Sequence, residues 1–136
     1  MDKRIFVEKK KEYQTEALSM LENFKINLKA DVDSLRLINI YDVFNIDEEL
    51  LEKAKFAVFG EKVTDNVFES IDLDNKKYFA TEFLPGQFDQ RADSAMQCLR
   101  LIDPTSKAIV KSGKLIIVEG KINDLSSLKK YTINEV

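Results

Sequence analysis

The sequence predicts an α+β domain of antiparallel sheets covered on one face by helices. Three observations lead there. Apolar residues make up 44% of the chain against 33% charged, enough to bury a core, so disorder is not expected. Short β-branched and aromatic runs alternate with segments of helical periodicity. The same succession of elements then starts a second time near Lys77.

The first copy opens with residues 3–8 (KRIFVE), whose Ile5, Phe6 and Val7 predict a strand. Residues 11–30 place Ala17, Leu21, Phe24 and Leu28 at helical spacing, with charges on the opposite face. Residues 34–44 (SLRLINIYDVF) alternate at Leu35, Leu37, Tyr41 and Val43, which predicts a long or bent strand pair. Asn45, with Glu48 three residues on, reads as a capping box for a helix that buries Leu50, Leu51, Ala54 and Val58. Gly60 ends that helix, and residues 62–70 are expected to be extended.

In the second copy, residues 77–84 (KYFATEFL) predict a strand stopped by Pro85-Gly86. Asp89 caps a helix with Ala92, Ala95, Met96, Leu99 and Ile102 inward, and Asp103-Pro104 stops it. Residues 107–111 and 114–119 read as a hairpin around Ser112-Gly113. Asn123 opens a last helix with Leu125 and Leu128 inward. The two copies lie about 74 residues apart, a length typical of a split βαβ unit. Identity between them is poor, so the repeat is one of pattern. The expectation is two tandem βαββαβ (ferredoxin-like) halves, about 1–75 and 76–136, forming a pseudo-dimer. The second half lacks its last strand, so the 136 residues are expected to be a fragment of a longer protein.

Charge narrows the partners. With 21 basic and 24 acidic residues interspersed, the net charge of -3 gives no electrostatic reason to expect nucleic acid. No apolar stretch approaches the roughly 20 residues that span a bilayer. The start of the chain lacks a signal-peptide apolar region, and the one cysteine cannot form an internal disulfide. A reducing, cytoplasmic setting is expected.

Catalytic chemistry is sparse. The chain has no histidine, which removes the commonest neutral-pH base and metal ligand. Neither a phosphate-binding glycine loop nor a dinucleotide fingerprint occurs. Cys98 lies within the predicted helix and reads as a small residue in or beside the core. Asp65, Glu69, Asp72 and Asp74 lack the central glycine and terminal glutamate of a calcium loop, so no metal site is expected. One segment stands out, LPGQFDQRADSA at 84–95. A strand ends at Pro85-Gly86, and a helix N-terminus follows with Gln87, Asp89, Gln90 and Arg91 around it. Free amides of a first turn attract anions. Equally, Pro-Gly makes the turn, Asp89 caps the helix, and Arg91 points to solvent.

That segment, with the opening MDKRIFVEKK, the central YDVFN and Val63-Thr64-Asp65, closely resembles the long single-chain form of phosphoribosylformylglycinamidine synthase (FGAM synthase). The likeness is to its N-terminal domain and runs through essentially the whole chain. The resemblance implies a glutamine- and ATP-dependent amidotransferase of purine biosynthesis, a ligase that converts formylglycinamide ribonucleotide to the amidine. Its cysteine glutaminase and its ATP- and magnesium-binding synthetase domains would lie outside this chain, which itself would hold no cofactor and no catalytic residue. The resemblance also implies a pseudo-dimer of an accessory subunit, packed on those two domains of the same chain. Pro85, Gly86, Gln87, Asp89, Gln90 and Arg91 would face them, with Arg91 or a glutamine near the ribonucleotide. Thr64 and Asp65 are further binding candidates, with loop capping as their other reading. A free-standing metabolite-binding module and a dimerisation module are the alternatives, and an isolated domain could self-associate through apolar surface.

Overall fold

Two long strands set the architecture. β2 (Val32–Phe44) and β5 (Ile109–Gly120) pair antiparallel from Val32↔Gly120 to Phe44↔Ile109 in a computed structural model that describes residues 2–122 and 124–134. β1 (Lys3–Lys9) flanks β2, and β4 (Lys77–Glu82) flanks β5. β3 (Asp65–Phe68) pairs with the outer side of β1. The result is one antiparallel sheet in the order β3-β1-β2-β5-β4. The helices are α1 (Thr15–Asn27), α2 (Glu48–Ala54), α3 (Gln90–Ile102) and α4 (Ser126–Asn134).

This order departs from two tandem ferredoxin-like halves. Strands of both halves share one sheet, with β2 and β5 side by side at its centre. The expected hairpin at Ser112-Gly113 is instead continuous strand, because Gly113 does not take the positive φ that a tight hairpin turn needs. The expected strand pair at 34–44 is likewise one strand: the β-branched Ile38 and Ile40 flank Asn39, and with no glycine or proline nearby the run stays extended. Element order still runs strand, helix, long strand, helix twice: β1-α1-β2-α2, then β4-α3-β5-α4.

All four helices cover the same face of the sheet. Ala17 and Phe24 of α1 and Leu128 of α4 pack on Leu35, Leu37, Phe79, Ile116 and Val118. Leu50, Leu51 and Ala54 of α2 and Ala92, Ala95 and Leu99 of α3 pack on Ile5, Val7, Tyr41, Val43 and Val110. Asn39 lies between the two clusters, and its Oδ1 is buried without a hydrogen-bond partner.

The opposite face is not open, as the residue pattern alone would leave it. β3 and β4 occupy opposite edges, so residues 69–76 must cross the whole sheet. This strap lays Ile71 and Leu73 over Ile38, Ile40, Leu115 and Ile117. Four strand spacings of about 4.8 Å are within reach of eight extended residues at about 3.3 Å each. β2 is therefore buried on both sides, which explains why Ile38 and Ile40 interrupt its alternation.

Several boundaries move for local reasons. Asp47, not Asn45, caps α2 by accepting from the Leu50 N–H at 2.7 Å. Asn45 takes φ 59°, a left-handed conformation that asparagine tolerates. A π-helical turn (Lys55–Phe59) extends α2, and Gly60 donates its N–H to the Lys55 carbonyl. The first helix starts late, after a 3-10 turn at Lys11–Tyr13. Ile102, expected inward, is exposed where α3 ends. The predicted start of the last helix at Asn123 lies outside the described residues, and Asp124 accepts from both the Ser126 N–H and hydroxyl. Among the described residues no helix is long and apolar enough to cross a membrane.

Candidate functional site

The segment at 83–91 forms a lip at the end of β4. Pro85 and Gly86 occupy the middle of a turn closed by the Gln87 N–H donating to the Leu84 carbonyl at 3.0 Å. Gly86 takes φ 89°, as the third position of a type II turn requires. The Gln87 side chain completes the turn by accepting from the Leu84 N–H at 2.7 Å. With these polar groups satisfied internally, the apolar members face outward. Phe83, Leu84 and Phe88 are 40%, 66% and 71% exposed.

Asp89 anchors the lip. Its carboxylate accepts from the Ala92 N–H at 3.0 Å, capping α3. The same carboxylate accepts from the Ser112 N–H at 2.7 Å and hydroxyl at 2.6 Å. β4 ends opposite Gly113, so Asp89 replaces the strand partner that Ser112 would otherwise lack. An anion at this helix start would compete with Asp89 and with Asp93 in the first turn. Gln90 is exposed, and Arg91 reaches away from the turn toward the Tyr41 hydroxyl at 3.4 Å.

Beside the lip runs a groove of about 630 Å³. Ile40, Ala80, Ala92, Met96 and Val110 give it apolar surface, while Arg4, Asp42, Glu82, Asp93 and Lys111 supply charge. Arg4 and Asp42 form a two-pronged pair at 2.7 and 3.1 Å. The hydrogen bond to Asp42 holds the Arg4 proton more firmly than in a free arginine. A second, polar groove of about 410 Å³ lies at the end of β2 and includes Asn45, Asp47, Asp103 and Thr105. Its side chains are already engaged: Asp47 with Leu50, Asp103 with Thr105, and Asn45 with the Lys107 carbonyl.

Thr64 and Asp65 lie at β3, across the full width of the sheet from the lip. Asp65 is buried and accepts from the Glu61 N–H at 2.8 Å. Lys9 Nζ stands 2.9 Å from the other carboxylate oxygen, an ion pair rather than an aligned hydrogen bond. Thr64 bonds back to Glu61 and receives the Lys10 N–H on its carbonyl. These contacts are loop capping, and neither residue lines the groove beside the lip.

The sequence reading passed over the Glu8–Arg36 pair, bidentate at 2.9 and 2.7 Å on the strap side of the sheet. The Glu8 hydrogen bond raises the Arg36 pKa further. It also passed over the outward direction of Phe83, Leu84 and Phe88, though three large apolar residues flanking Pro85-Gly86 were a legible signal. Among the described residues no group of three or more histidine, cysteine, aspartate or glutamate side chains converges on a metal position. No protein-family model, curated protein or solved structure matches the chain.

Proposed function

We propose that this chain is a non-catalytic assembly domain that docks a partner through the apolar lip at 83–88. One observation carries the reading. Phe83, Leu84 and Phe88 stand exposed beside a groove with apolar walls and a charged rim, while the Leu84 and Gln87 N–H groups of the same turn are bonded within it. Exposed apolar surface rimmed by polar residues is the usual mark of a protein interface.

The motifs quoted above name the partners: the synthetase and glutaminase domains of an FGAM synthase, in the cytoplasm, with ATP and magnesium bound by the synthetase and not here. This identity rests on those sequence motifs alone. The single sheet and its strand order speak against the accessory-subunit pseudo-dimer of two ferredoxin-like halves. Calorimetric titration with separately purified synthetase and glutaminase domains tests the partner, with saturable heat expected and its absence overturning the assignment.

The competing reading is a metabolite-binding module. Thermal-shift screening with glutamine, ATP and formylglycinamide ribonucleotide separates the two, since a ligand of the native state raises its stability. The assembly reading expects no shift, and a saturable rise with any of them contradicts it.

A further inference from the structure

We infer that a second copy of this chain pairs antiparallel with the outer edge of β4, about a twofold axis through Phe79, extending the sheet across two molecules. The inference rests on β4 and stands apart from the docking of other domains at the lip.

The hydrogen-bonding direction of β4 follows from Asp89. Ser112 sends its N–H away from β2 to Asp89, so along β5 the N–H groups of Lys114 and Ile116 also face away from β2, toward β4. Their partners Thr81 and Phe79 are committed to β5. Tyr78, Ala80 and Glu82 therefore turn their backbone N–H and C=O groups to the free edge. No strand pairs there among the described residues. Edge strands are ordinarily blunted by proline, a bulge or charged side chains; β4 has no proline and no bulge, and its two charges, Lys77 and Glu82, stand at its ends.

Charge selects the occupant and the register. A twofold axis normal to the sheet keeps the helices of both copies on one side, so opposed residues must face the same way. Centring the pair on Phe79 sets Tyr78 opposite Ala80 and Lys77 opposite Thr81, and brings Lys76, the residue before β4, toward Glu82. Lys76 and Glu82 are both exposed, and neither forms a salt bridge among the described residues. Symmetry makes the Lys76–Glu82 contact twice. Each Tyr78 ring, 44% exposed, would lie over the small Ala80 of the other copy. The edge thus complements itself.

Sedimentation velocity from about 1 μM to about 1 mM tests the pairing. The expected result is a monomer–dimer equilibrium within that range. Lys76→Glu and Glu82→Lys, which place like charges opposite each other twice, should each weaken the dimer about tenfold or more. The double variant, which restores opposite charges, should regain the dimer. Ala80→Pro removes an outward N–H without touching the β5 ladder, and it should leave only monomer. A monomer at every wild-type concentration, or a double variant no better than the single ones, overturns the inference.

Discussion

Ser112 donates both its backbone N–H and its hydroxyl to the carboxylate of Asp89, at 2.7 and 2.6 Å. A cap residue thus finishes a sheet. Asp89→Ala removes the α3 cap and leaves the Ser112 N–H without its partner, so it should cost about 2–3 kcal/mol. Ser112→Ala should cost about 1 kcal/mol. Urea denaturation of both variants and their double mutant should give a coupling of at least about 0.5 kcal/mol. Additive effects would refute the shared role.

The strap is the second testable feature. Ile71→Ser and Leu73→Ser should each lower stability by about 1–2 kcal/mol, because each withdraws apolar cover from Ile38, Ile40, Leu115 and Ile117. The pair together should increase binding of a hydrophobic dye to the native protein. Unchanged melting would mean that the strap does not cover this face.

Gly113 admits no side chain. A Cβ there would come within 2.6 Å of the Thr81 carbonyl oxygen, which is backbone and cannot swing aside. Gly113→Ala should cost about 1–3 kcal/mol by pushing β4 from β5. Amide exchange should accelerate along β4 more than along β1, and equal changes in both would contradict the local cause.

Glu69 bridges Lys55 at 3.2 Å and Lys3 at 3.4 Å. The hydrogen bond from Lys55, then that from Lys3, hold its carboxyl below the ordinary glutamate range. A depressed folded pKa gives stability that is full above the unfolded value and fades as pH falls through the folded one. Glu69 is solvent-exposed, so the contribution should stay below about 1 kcal/mol. Glu69→Gln should therefore lower stability at neutrality by up to about 1 kcal/mol and flatten the loss of stability below about pH 4.5, so that the two proteins converge in acid. An unaltered acid limb would argue against the bridge.

The sequence was most legible where pattern and period coincide. Ala17 and Phe24, Leu50 and Leu51, and Ala92, Ala95 and Leu99 are all buried as their helical spacing predicts. Sheet order was not legible, because the partner of β2 is set by contacts some 75 residues away. Ser112-Gly113 looked like a turn from composition, yet Asp89 and the close approach of Thr81 make it a strand. In the segment at 85–91, the cap at Asp89 was predicted. The outward facing of Phe83, Leu84 and Phe88 was signalled only by their clustering around Pro85-Gly86, because composition does not say which way the apolar residues of a turn point.

The most direct test of docking at the lip is hydrogen–deuterium exchange on the chain with and without the synthetase and glutaminase domains. The docking account predicts protection concentrated at residues 83–92 and lost in Phe88→Ser. Protection at the β3 edge around Asp65, with 83–92 unchanged, would contradict it.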